Sequence, residues 1–247
     1  MIVFDSIFKS FGQNRVLDGV SITVNTGEIT FIIGKSGAGK SVLVKHLVGL
    51  VRQDSGRIFF EGKDITDYQE QDFYDLRLQC AMVFQHSTLF DSMSLLENVA
   101  LPIRKHRGLS RTDSLDAARE KLRLVHLEHL SDRYPAEVGD GLRKRVAIAR
   151  ALALSPKYLV FDEPTTGLDP VNAVRVDRLI RELKDETGVT SIVVSHDLRS
   201  IFGIADRIVM LYQGKVLKDG SPEQYRETDD PIVAQFVGGH AEGPMEL

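Results

Sequence analysis

The chain has 247 residues, 43% of them hydrophobic and 27% charged, with a net charge of -4. That length supports one large α/β domain or two small ones around a buried core, and the balance is that of an ordinary globular protein. The mild acidity offers no general attraction to polyanions and argues against a nucleic-acid partner, while a single cysteine, Cys80, excludes an internal disulfide framework.

The lone thiol fits a reducing compartment, and in LQCAMVF it reads as a small core residue. No segment approaches the ~20 apolar residues needed to cross a bilayer. The start, MIVFDSIFKSFG, has Asp5 early and no small-residue cleavage site, so it does not read as a signal peptide. The expected location is cytoplasmic, and membrane work would require partner chains to supply the spanning part.

In chain order, IVFDSIFKSF, SITV and GRIFFEG read as short strands of a small antiparallel layer. ITFII is a continuous apolar run, the mark of a strand buried on both faces. After a glycine-rich loop, KSVLVKHLVGL repeats apolar residues at helical spacing through Val42, Leu43, His46, Leu47 and Leu50. From about Gln85 to Pro156 the chain reads as mostly helical. Ser94 and Glu97 form a capping box there, and Leu115, Ala118, Leu122 and Val125 form one apolar stripe. Then follow YLVF (strand), PVNAVRVDRLIRELKDET (helix), SIVVS (strand), SIFGIAD (short helix), the hairpin IVMLYQGKVLKDG and a loosely ordered tail, GGHAEGPMEL. This alternation predicts a parallel sheet flanked by helices.

GKSGAGKS, comprising Gly34, Lys35, Ser36, Gly37, Ala38, Gly39, Lys40 and Ser41, matches the phosphate-loop pattern between an apolar run and a helix. Backbone amides there cradle β- and γ-phosphates with help from the helix's positive end, Lys40 reaches the terminal phosphates and Ser41 ligates Mg2+. YLVFDE ends a buried strand in Asp162 and Glu163. Two carboxylates at such a point are costly unless they meet a cation or do chemistry. Asp162 fits the acid of a Mg2+ shell, and Glu163 the base that deprotonates the attacking water. Gln85 and His196 each end an apolar run, and alone they read as surface or turn residues. Asp169 before Pro170 is explained, alone, by helix capping.

Taken in order, the phosphate loop, Gln85, glycine turn, Asp162-Glu163, Leu168-Asp169 and His196 resemble the ATP-binding-cassette (ABC) ATPases over almost the whole chain. The resemblance implies an α/β fold: a phosphate-loop NTPase core of RecA-like type with an N-terminal antiparallel β subdomain and an inserted helical subdomain. One domain would span residues 1–247, the helical insert about 86–156 and a short tail 238–247. It implies ATP and Mg2+ as cofactors, with Phe11 stacking on adenine beside Val16 and the loop residues through Val42 around the phosphates. Gln85 would touch metal and water in the Q-loop, with Asp169 as the D-loop aspartate and His196 the switch histidine at the γ-phosphate. A permease in the membrane and a second copy of the cassette, paired head to tail, would complete the machine. The chain would sit peripherally on the inner membrane.

A narrower resemblance, in GKSGAGKSVLVKHLVGL, MVFQHSTLFDSMSLLENVALPIRKH and DPIVAQFVGG, is to the ATPases of MCE-associated lipid transporters. It implies lipid as cargo and a lipid-binding MCE-type protein as a further partner. LFDSMSLLENVALP lies where family members meet the permease.

The family's signature turn usually reads Leu-Ser-Gly-Gly-Gln, with its serine and amides closing on the opposite subunit's ATP. The aligned residues here are Val138, Gly139, Asp140, Gly141 and Leu142. A lost hydroxyl donor to phosphate costs about 1.5–3 kcal/mol. A carboxylate ~4 Å from a phosphate charge costs on the order of 4 kcal/mol at an effective dielectric near 20. Pairing with Arg143 or Lys144 recovers only roughly 0.2–0.5 kcal/mol. Two readings stay open: Asp140 caps its helix in a working ATPase, or it faces the nucleotide and leaves a low-turnover ATP-binding switch. An importer ATPase for another substrate is a further alternative.

Overall fold

The computed structural model describes residues 1–245. β1 (Ile2–Phe11) and β2 (Asn14–Val24) form an antiparallel pair. β3 (Ile29–Ile33) leads into α1 (Lys40–Leu47), followed by β4 (Ser55–Phe60) and the two-residue β5 (Lys63–Asp64). After α2 (Phe73–Gln79) and β6 (Cys80–Val83) the chain runs through α3 (Leu95–Arg107), α4 (Arg111–Leu124) and α5 (Asp140–Ala151). It then returns as β7 (Tyr158–Asp162), α6 (Pro170–Thr187), β8 (Thr190–Val194), α7 (Leu198–Ile204) and the hairpin β9 (Arg207–Tyr212) and β10 (Lys215–Gly220). Two helices close the chain, α8 (Pro222–Arg226) and α9 (Pro231–Gly238).

Two sheets result. The antiparallel one has the order β2-β1-β4-β5, and the six-stranded one the order β10-β9-β3-β8-β7-β6. Within the latter, β6, β7, β8, β3 and β9 are mutually parallel and β10 is an antiparallel edge.

The central strands feed two cores by simple alternation, because successive side chains leave opposite faces of a sheet. Phe31, Phe161, Val193 and Met210 enter a core with α3 to α6, while Ile32, Val160, Ile192 and Leu211 enter another with α1 and the antiparallel layer. Covering both faces explains why every residue of ITFII and YLVF is buried. Cys80 is buried in the second core, and burial pushes its thiol up to about 12, the behaviour of a core residue.

Local signals set the boundaries. Ser94 and Glu97 exchange the two hydrogen bonds of a capping box at the head of α3, so the helical run begins at Leu95 and residues 85–94 are irregular. α1 stops before Gly49, which adopts φ +72 and lies against the Phe73 ring, where a Cβ would come within 2.5 Å. Leu50 therefore leaves the expected stripe and is 52% exposed. The end of the chain beyond α9 forms no helix or strand up to residue 245, yet Met245 is buried and its amide donates to Gln235 Oε1. Residues 246 and 247 of the expected tail lie outside the described residues.

Candidate active site

The phosphate loop joins β3 to α1, and its shape depends on close backbone approaches. Gly34 (φ +140) would put a Cβ 2.2 Å from the Leu211 carbonyl oxygen. Gly39 (φ +94) would put one 2.6 Å from Leu17 and 2.9 Å from the Val16 carbonyl. Only glycine passes there without moving β2 or β9. Gly39 is also the N-cap of α1 and offers no side chain to its first amides, which leaves them for an anion.

Lys40, 7% exposed, donates from Nζ to the carbonyls of Gly34 (2.8 Å) and Lys35 (2.9 Å). Burial lowers the ammonium's pKa, with the charges of Glu163 and Asp162 opposing it. Ser41 Oγ donates to Asp162 Oδ1 at 2.5 Å, and Lys45 Nζ lies 3.7 Å from the same carboxylate. Glu163 follows at the end of β7 in the left-handed region (φ +52), its amide bonded to the Val194 carbonyl of β8. A non-glycine residue held there is strained, and the neighbouring strand enforces it. Its carboxylate accepts from Thr166 Oγ1 (2.9 Å), and His196 Nδ1 lies 2.9 Å from Oε2.

These groups line one open cavity of about 750 Å³. Phe11, Val16, every residue from Gly34 to Val42, Gln85, Glu163 and His196 contribute, as do Asn14, Thr166 and Phe236. Asp162 sits beneath, bonded to Ser41. The last three lining residues were not singled out from the sequence. Thr166 carried a usable signal, a hydroxyl three residues after the acid pair; Asn14 and Phe236 carried none.

The glycine turn and Asp169 are not part of this cavity. Asp169 caps α6 through the amides of Val171 and Asn172, and Asn172 Nδ2 returns a bond to its other oxygen at 2.5 Å. Gly141 packs on that same Asn172, so the turn and the Asp169 loop touch. The N-cap of α5 is Gly139 and Asp140 is the first helical residue, so of the two open readings the one that makes Asp140 the helix cap is corrected. With φ -73 and ψ 169, Gly139 already holds the extended cap conformation. Asp140 is thereby moved one position in, and its carboxylate pairs with Arg143 at 2.6 Å. Lys144 points the other way: buried on α5, it donates to the carbonyls of Phe84 (3.0 Å) and Gln85 (2.5 Å).

A phosphate loop on a parallel sheet, an acid pair at the end of a neighbouring strand and a histidine against the second acid define a phosphate-loop nucleotide hydrolase. Comparison with known proteins narrows the class. A family model described as "ABC transporter" matches residues 17–166. The intermembrane phospholipid transport ATP-binding protein of Haemophilus influenzae is 37% identical over 236 residues, 96% of this chain and 89% of its own length. The methionine import ATP-binding protein of Rhizobium johnstonii is 42% identical over 212 residues, 86% of this chain and 58% of its own. A dimeric ATP-binding cassette solved in a post-hydrolysis state with ADP and Pi superposes with a TM-score of 0.81 at 30% identity, covering 90% of this chain and 99% of that one. The chain belongs to the ABC transporter ATPases and is an ATP-binding and hydrolysing subunit of that class.

Proposed function

We propose that this ATPase drives lipid transport through a partner permease, working as one half of a head-to-tail homodimer on the inner face of the membrane. One arrangement carries the chemical reading: Glu163, held by Thr166 and His196, stands over a phosphate loop whose Ser41 meets Asp162. The lipid cargo is supported by similarity to the Haemophilus influenzae phospholipid-transport protein across nearly the whole of both chains.

Phe11, 52% exposed at the cavity edge, offers a face for adenine beside Val16. On ATP binding, Lys40 exchanges the carbonyls of Gly34 and Lys35 for phosphate oxygens, while the loop amides from Gly37 to Ser41 surround the β- and γ-phosphates. Ser41 Oγ and Asp162 Oδ1 form a close pair of hard oxygen donors, the sparse set that suits Mg2+ when phosphates and water complete the shell. Mg2+ held by Ser41, Asp162 and Gln85 would neutralise charge on the transferred group. Glu163 takes the proton of the attacking water as its oxygen bonds to the γ-phosphorus. The bond to the ADP oxygen breaks, and ADP and inorganic phosphate leave. His196 steadies Glu163 and faces the γ-phosphate.

Gly139, Asp140, Gly141 and Leu142 would close on the partner copy's ATP, with Asp169 at the seam. Residues 86–156 form the helical insert of a single domain. Beside α5 and α3 an apolar groove of about 400 Å³, walled by Phe84, Phe90 and Pro102, suits a helix of the permease. Among the described residues no helix is long and apolar enough to cross a membrane, so that permease would supply the span. An MCE-type lipid-binding protein would complete the assembly.

The deciding experiment reconstitutes the chain with its membrane partner in liposomes and follows a fluorescent phospholipid, with Glu163→Gln as the blank. ATP-dependent lipid movement absent from the blank supports the reading. ATP turnover without lipid movement, together with methionine uptake, would favour the importer alternative that the Rhizobium johnstonii relative raises.

A further inference from the structure

Lys144 is 2% exposed, a depth at which a cation is costly unless it is bonded. It forms no ion pair shorter than 4 Å among the described residues; its hydrogen bonds go to two neutral carbonyls, those of Phe84 and Gln85. An apolar side chain of the same length would fill the space at lower cost, so packing alone does not account for it. Arg150, on the same helix, reaches the same segment: its guanidinium donates to the Thr88 carbonyl (2.9 Å), the Thr88 hydroxyl (3.0 Å) and the Ser87 carbonyl (3.3 Å). Residues 84–88 lie in neither helix nor strand, and Thr88 holds φ +47. Two side chains of α5 thus hold the irregular stretch that presents Gln85 to the nucleotide cavity. The head of that same helix is the Gly139–Leu142 turn.

We propose that Lys144 is a positioning residue for hydrolysis, locking the backbone at Phe84 and Gln85 to α5. Gln85 then takes its place in one nucleotide site as the glycine turn of the same subunit engages the other. The idea rests on the head-to-tail dimer proposed above. A rigid helix fixed at both ends moves Gln85 and the turn together, which couples the state of the two sites. Arg150 serves as the second, more exposed tie.

The test uses the full chain with steady-state ATP hydrolysis and binding of a fluorescent ATP analogue. Lys144→Met is expected to lower kcat at least tenfold while KM and analogue affinity stay within threefold. Lys144→Arg should restore part of the rate, because its guanidinium can donate to both carbonyls. In a Gln85→Ala background, Lys144→Met should cost less than threefold more, since both act through the same group. Equal losses with and without Gln85, or an unchanged kcat, would overturn the proposal. Folding is checked by melting: losing a buried charge should leave Lys144→Met as stable as the parent, and Lys144→Gln serves if it is not. The dimer is tested apart. If Glu163→Gln protein forms no dimer with ATP, the underlying reading fails; if it dimerises and Lys144→Met leaves kcat unchanged, this inference alone fails.

Discussion

The carboxylate of Asp140 lies 2.6 Å from the Arg143 guanidinium, one turn along α5. The pair sits on the surface, with Asp140 71% exposed, so it contributes only about 0.2–0.5 kcal/mol to folding. Its consequence is local charge: the turn proposed to meet the partner's phosphate carries an acid and, in contact with it, a neutralising base. Arg143→Ala is expected to lower ATP turnover on the order of tenfold, or about 1.4 kcal/mol, by unmasking Asp140 toward the partner's phosphates. Asp140→Gly alone should change the rate less than threefold, and Asp140→Gly/Arg143→Ala should return close to the parent. Hydrolysis assays on the four proteins, with Glu163→Gln as the blank, check this. Equal losses in Arg143→Ala and the double variant would show that charge masking is wrong.

Gly141 faces Asn172 so closely that a Cβ would lie 2.5 Å from its Cγ and 2.8 Å from its Cβ. Alanine in place of a helical glycine ordinarily stabilises by roughly 0.5–1 kcal/mol. Here the contact reverses the sign: overpacking costs about 1–3 kcal/mol, which lowers Tm by roughly 2–4 °C for each kcal/mol in a chain this long. Asn172→Gly removes every one of these atoms, so Gly141→Ala should be neutral or stabilising in that background. Thermal melts of the four combinations decide it, and a loss independent of residue 172 would rule out the steric account.

Much of the site was readable because it is local. The phosphate loop is one uninterrupted stretch whose glycines are demanded by its own turns, and Asp162-Glu163 ends a strand whose apolar run is itself a signal. Gln85 and His196 carried little signal beyond their order along the chain and their place after an apolar run, since the cavity they line is assembled by the sheet. Leu50 was misplaced because its spacing continues the helical stripe past Gly49, whose φ of +72 ends the helix. Whether Asp140 caps α5 stayed open in the sequence, because glycine and aspartate are both acceptable there and only the backbone assigns the cap to Gly139. Phe236 and Lys144 were beyond reach for another reason: their partners are distant in sequence and, for Lys144, are backbone carbonyls that any residue possesses.

Thr166 donates to Glu163 Oε2 and shares that carboxylate with His196. Thr166→Val keeps the shape and removes the donor. The free carboxylate should then sample other rotamers, and kcat is expected to fall about tenfold, the equivalent of one hydrogen bond to a charged group. Affinity for ATP should be unchanged, because the loop that holds the phosphates is untouched. A matched loss of affinity in a fluorescent-nucleotide titration would instead assign Thr166 to binding.

Asp177, on α6, accepts a 2.7 Å hydrogen bond from Ser200 of α7 through Oδ2, while its buried Oδ1 has no hydrogen-bond partner among the described residues. Burial pushes the carboxyl up from 3.8 to about 6, with Ser200 and Arg199 opposing and Asp197 reinforcing the rise. Between roughly pH 4 and 6 the folded chain therefore holds a proton that the unfolded chain has released. Stability at this site falls as pH rises through that window, and the loss persists above it. A rise of this size corresponds to at most ~3 kcal/mol, and to on the order of 1–2 kcal/mol once relaxation around the buried charge is allowed for. Asp177→Asn keeps an acceptor for Ser200 and carries no charge. It should melt roughly 3–6 °C above the parent at pH 7 and within a degree or two of it near pH 4. The same gain at both pH values would mean that the amide acts through packing, and that the buried charge costs the fold nothing.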